Sequence, residues 1–130
     1  MARSKGYRDL IVYQKAFALA MKIFHATKKF PKEEKYSLVD QIRRSSRSVC
    51  SCIAEAYRKR QYSAYFSNKC SDADGENSEA IVWLEFSLAC EYISQSEFDE
   101  FEKWAEEVGR ILNKMVEHPE KFLPKEKLKS

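Results

Sequence analysis

Leu38-Val39-Asp40-Gln41-Ile42-Arg43-Arg44-Ser45-Ser46-Arg47-Ser48-Val49 carries the pattern that decides the fold. At 100° per residue Leu38, Val39, Ile42, Ser46 and Val49 fall on one face, and Ile53, Ala56 and Tyr57 continue it. Asp40, Arg44, Arg47, Ser48, Ser51, Glu55 and Arg58 fall on the opposite face. The spacing predicts a single long amphipathic helix over about 33–60, apolar toward a core and rich in guanidinium groups outside.

Three further segments show the same period. From Asp9, a plausible N-cap, to Lys29, the residues Val12, Tyr13, Ala16, Phe17, Leu19, Ala20, Ile23, Phe24 and Thr27 form a wide apolar arc. Lys15, Lys22 and Lys29 recur on the other side, and Phe30-Pro31 ends the helix because the residue before proline is steered from the α region. A third helix is expected over 63–93, polar in its first half and apolar from Ile81 to Ala89. Gly75 in its middle suggests a place where another backbone approaches closely. A fourth is expected from Ser96, with Asp99 completing an acidic capping box, to Val116. Phe98, Phe101, Ala105, Val108, Leu112 and Met115 make its inner stripe. The joints are short, which favours antiparallel neighbours. The expected fold is all-α, an antiparallel up-down-up-down four-helix bundle over 9–116, between a flexible start at 1–8 and a loose tail at 117–130.

The charge is split along the chain. Residues 1–60 hold fifteen Lys and Arg against five Asp and Glu, a balance of +10, while 61–130 hold eight against fifteen, a balance of −7. Such asymmetry points to a nucleic acid or an oppositely charged partner surface. Three Gly and three Pro leave little material for the turns of a β fold. No run approaches the roughly 20 apolar residues of a membrane span, and Lys15 and Lys22 interrupt the one candidate leader. Cys50, Cys52, Cys70 and Cys90 match no C-x-x-C motif and read as small buried or half-buried thiols of a reducing cytoplasm.

Chemistry is poorly represented. His25 and His118 have no Glu three residues upstream, and neither a His-Glu-x-x-His nor a Gly-rich phosphate loop occurs. Asp72, Asp74, Glu76 and Glu79 lack the spacing of a calcium loop. No enzyme, cofactor or metal is expected. The basic residues have two readings. As a phosphate-binding strip, Arg47 and Arg58 on one helical face would act with Lys59 and with Lys15, Lys22 and Lys29 of the first helix. As structural or interface pairs, Arg43 and Arg44 would meet carboxylates such as Glu55 or Glu79, across helices or subunits because Arg44 and Glu55 lie three turns apart. Tyr62, Tyr65 and Phe66 beside Arg58-Lys59-Arg60 could stack on unpaired bases. The acidic fourth helix could be solvated or could complement a neighbouring subunit.

The wording Gln41-Ile42-Arg43-Arg44, followed by Ile53-Ala54-Glu55, resembles that of a known bacterial family, the four-helix-bundle proteins encoded within intervening sequences of 23S ribosomal RNA genes and often labelled ribosomal proteins. Tyr7-Arg8-Asp9-Leu10-Ile11-Val12-Tyr13-Gln14-Lys15-Ala16 resembles its opening, with Tyr13 where Trp is usual. Phe30-Pro31-Lys32-Glu33-Glu34 resembles its first joint, and the Gln41–Arg44 and Ile53–Glu55 stretches its second helix. Gly75, Glu79 and Glu107-Val108-Gly109-Arg110-Ile111-Leu112 match its later helices. Cys50, Cys52, Ala56 and Ile81 depart from the usual Pro, Asn, Gly and acidic residue. The resemblance implies a ring-shaped homopentamer with a basic surface and an RNA partner. Retroelement accessory proteins with a similar barrel engage nucleic acid and a reverse transcriptase. The expectation is therefore a cytoplasmic, oligomeric, RNA-binding protein without catalysis, the alternative being a scaffold whose basic face docks an acidic protein.

Overall fold

Four α-helices account for most of residues 6–122, the part of the chain that the computed structural model describes. The basic start at 1–5 and the tail from 123 onward, with Pro124 and the last lysines, lie outside the described residues. The helices are α1 (Ile11–Thr27), α2 (Leu38–Arg58), α3 (Ser63–Ala89) and α4 (Gln95–Glu117), with 3-10 turns at Gly6–Asp9, Lys32–Glu34 and Pro119–Phe122. No strand occurs among the described residues.

The helix ends differ from the expected ones for local reasons. Asp9 belongs to the first 3-10 turn, so Leu10, extended at ψ 129°, precedes α1 and supplies no side-chain cap. That turn is opened by Gly6 at φ +68°, a conformation that costs glycine little. At the end of α1 the Thr27 hydroxyl donates back to the carbonyls of Ile23 and Phe24 at 2.9 and 3.0 Å. α2 begins at Leu38 and not near Glu33, because Ser37 (φ −121°, ψ −99°) breaks the helical path. Glu34 bridges this break: it accepts from Ser37 Oγ at 2.6 Å and from the Tyr92 hydroxyl at 2.9 Å.

α3 stops at Ala89, four residues short of the expected end. Glu91 turns left-handed at φ +64°, and the amides of Tyr92 and Glu91 donate to Ser87 and Leu88, the paired bonds of a Schellman stop. α4 is capped by Ser94 and Glu97, not by Ser96 and Asp99. Ser94 Oγ accepts from the Glu97 amide at 3.1 Å, and Glu97 Oε1 accepts from the Ser94 amide at 3.0 Å. Asp99 instead accepts from Gln95.

Each helix packs against two others: α1 against α2 and α4, α3 against α2 and α4. The buried side chains form two clusters. One gathers Val12, Ala16, Val49, Ile53, Phe66, Cys70, Val108, Leu112 and Met115. The other gathers Leu19, Ile23, Phe30, Leu38, Ile42, Leu84, Ile93, Phe98 and Phe101. Between them in sequence on α2 and α3 lie small or polar residues, with Ser45 and Ser46 buried on α2 and Asn77 and Ala80 buried on α3. Burial also pushes the thiols of Cys50 and Cys70 up to about 11 and about 12, which leaves them protonated and unreactive. Gly75 faces open space, and no other helix among the described residues approaches it. Gly109 is the glycine under a neighbour, with Asn77 and Asp74 side-chain atoms 3.5 and 3.6 Å from where a Cβ would sit.

Candidate nucleic-acid interface

α1 and α2 leave a groove between them because the α2 residues facing α1, among them Cys50, Ser51 and Ala54, are short. The hollow is about 540 Å³, with Tyr13, Phe17 and Met21 on the α1 side and Arg47 on the α2 side. Tyr7, Ala54 and Glu55 connect it to a second hollow of about 470 Å³ at the lower end of α2. Arg8, Tyr57, Arg58, Lys59, Arg60 and Tyr65 line that one.

The groove is aromatic along its floor and cationic around it. Tyr7 meets Tyr13 edge-on at 4.9 Å between centroids, and Tyr13 is 6.0 Å from Phe17. Phe17 is 51% exposed and Tyr65 40%. Arg8 lies over the Tyr7 ring and Arg60 over the Tyr57 ring at 4.0 Å, which holds both guanidinium groups at the groove. Five cations, Arg8, Arg47, Arg58, Lys59 and Arg60, face a single carboxylate, Glu55. That carboxylate is bonded to Lys69 of α3 at 2.8 Å.

The residues singled out from sequence are divided by the fold. Arg47, Arg58 and Lys59 come together along this groove and meet no carboxylate within ion-pair distance among the described residues. Lys29 is exposed beyond the end of α1. Lys15 and Lys22 point elsewhere: they bond Glu107 at 2.9 Å and Glu100 at 3.1 Å on α4, and both lie over the Trp104 ring. The Lys15 bond lowers the Glu107 carboxyl below its ordinary range. Arg43 is half-buried, donating to Thr27 Oγ1 at 2.9 Å and stacked 4.8 Å from the Phe24 ring centre.

Arg44 pairs with Asp40, one turn back on its own helix, at 3.6 Å. Neither expected partner bonds it. Glu55 is held by Lys69, and Glu79 accepts from the Trp83 indole N–H at 3.2 Å. Phe66 cannot offer a stacking surface, because it is fully buried and stacks on Phe122 at 5.5 Å. Tyr62 and Tyr65 beside it are exposed.

Sequence reasoning missed Arg8, Tyr7, Tyr13 and Phe17 as groove residues. The available signal was the width of the α1 arc, broader than one core-facing stripe requires. A second apolar surface lies at the other end of α2, where Tyr36 (85% exposed) and Phe86 (54%) flank a hollow with Trp83. Among the described residues no group of three or more His, Cys, Asp or Glu could hold a metal, and no helix is long and apolar enough to cross a membrane.

Residues 8–114 match the family described as 23S rRNA-intervening sequence protein, and the chain belongs to it. Its fold is similar to that of a Bacteroides thetaiotaomicron protein of unknown function from the S23 ribosomal protein family. The TM-score is 0.74 at 28% identity, over 82% of this chain and 98% of that one. No curated protein sequence matches.

Proposed function

We propose that this is a cytoplasmic, non-catalytic protein that binds nucleic acid, RNA in the first place, and works as a closed oligomer of antiparallel up-down-up-down bundles. The bundle direction is supported by register. Lys15 meets Glu107 and Lys22 meets Glu100, so one chain position rises as the other falls, and Ser67 with Val116 and Asn77 with Ala105 repeat the relation between α3 and α4.

The observation that carries the binding reading is the set Arg47, Arg58 and Lys59, brought to one groove without carboxylate partners among the described residues. Guanidinium and ammonium groups left this way suit phosphate oxygens. The family name adds an RNA context. Binding through phosphates releases counterions, so affinity should fall steeply between 50 and 200 mM salt. Arg47→Gln, Arg58→Gln and Lys59→Gln combined should weaken binding and reduce the salt slope by about one per lost contact. Lys15→Gln should leave that slope unchanged. Absence of binding to RNA or DNA near 50 mM salt would transfer the same face to an acidic protein partner.

Self-association is supported by the apolar patch around Tyr36, Val82 and Phe86, away from the cationic groove. Five subunits follow from the family resemblance. Arg44 and Glu79, both exposed, are then placed to pair with a neighbouring copy. A monomer by light scattering at micromolar concentration would end the oligomer reading.

A further inference from the structure

Resting on the nucleic-acid reading, we infer that the α1–α2 groove takes single-stranded nucleic acid, with unpaired bases laid on its aromatic floor and phosphates held at its ends. Packed helices have axes about 8–10 Å apart. The hollow of about 540 Å³ between α1 and α2 has room for a flat base or two, whereas a duplex, its bases paired inside, could only ride across its rims.

The arrangement of side chains fits that occupant. Tyr7, Tyr13 and Phe17 follow one another along the floor at 4.9 and 6.0 Å, giving a run of π faces and edges where every base type can stack. The cations are kept to the surroundings, Arg47 beside the Phe17 end and Arg8, Arg58, Lys59 and Arg60 around the lower hollow. A strand passing along the groove would therefore meet positive charge at each end and rings between. Charge complementarity also selects a polyanion, because the one carboxylate of the groove, Glu55, already bonds Lys69.

The test compares a 12-nucleotide single-stranded RNA of mixed sequence with a blunt duplex of the same length at 50–200 mM salt. The variants are Phe17→Leu with Tyr65→Leu, and Phe17→Tyr as the ring-keeping control. Phe17 and Tyr65 are substantially exposed, so their loss should leave circular dichroism and oligomer mass unchanged. Expected results are tighter binding of the single strand, an affinity loss of about tenfold in the double Leu variant with no change in salt slope, and retention by Phe17→Tyr. Equal duplex binding that ignores the ring variants would overturn the stacking inference while leaving phosphate binding intact. A change in oligomer mass with Phe17→Leu would overturn it too, since a second copy would then fill the groove. If the wild type binds neither RNA, the underlying reading fails and this one with it.

Discussion

The carboxamide of Asn77 donates to the backbone carbonyl of Ala105 at 2.8 Å, with both residues sealed from water. The bond ties α3 to α4 at the level where the two apolar clusters meet. A buried amide is tolerable here because its partner is fixed by the helix that carries it. Asn77→Leu should cost about 1–3 kcal/mol through the lost bond and the bulk forced against Gly109. Gly109→Ala, whose added carbon makes ordinary contacts, should be neutral or slightly stabilising. Urea melts of both variants check the pair.

Gly75 gives a complementary prediction. It sits inside α3, and no other atom of the described residues beyond its own helical turn comes within 4 Å of its missing Cβ. Gly75→Ala should raise stability by about 1 kcal/mol in the isolated subunit. A loss of stability or assembly would place the backbone of another copy against that position.

Arg43 and Arg44 are neighbours with opposite expected behaviour. Arg43→Ala removes a charged bond to Thr27 and the stacking on Phe24, so it should cost about 1.5–3 kcal/mol. Arg44 has a side chain 74% exposed and a single long contact to Asp40, so Arg44→Ala should change stability by no more than about 0.5 kcal/mol. Denaturant midpoints at equal slope separate the two.

The Tyr92–Glu34 bond makes a pH signature. It pushes the Tyr92 hydroxyl up to about 12 from an ordinary 10.0. Ser37 and then Tyr92 hold the Glu34 carboxyl below its ordinary 4.5. The raised phenol contributes stability in full below pH 10 and loses it as pH climbs toward 12, while the lowered carboxyl loses its contribution as pH falls through its folded value. The stability gap between wild type and Tyr92→Phe should thus be widest across the neutral range and narrow at both extremes. Chemical melts in a pH series check this.

The four helices were legible in sequence because their apolar positions recur at 3.6 residues over many turns. Ile42, Val49, Ile53, Phe101, Val108 and Leu112 are all buried where the period puts them. Helix ends were less legible. The stop of α3 uses Glu91 where glycine would announce a left-handed residue, and two serines two residues apart competed for the cap of α4. The site was legible only in part. Periodicity places a lysine on a face but does not say which helix will stand opposite. Lys15 and Lys22 therefore read as open cations until α4 brought Glu107 and Glu100 to them. Arg8 and Tyr7 were lost in a short turn that carries no period.

The thin middle layer has a bearing on which sequences this fold can wander through. Near Ser45, Asn77, Ala80 and Ala105 the buried side chains are short or bonded across helices, so a longer one there crowds the facing helix. At the two ends, phenylalanines and leucines touch one another, so a gain on one helix can be met by a loss on the next. Mutational drift should therefore be fast in compensating pairs at the ends and slow at single positions in the middle. Homologues would then diverge in their core composition yet keep one helix spacing, and with it the width of the channel between α1 and α2.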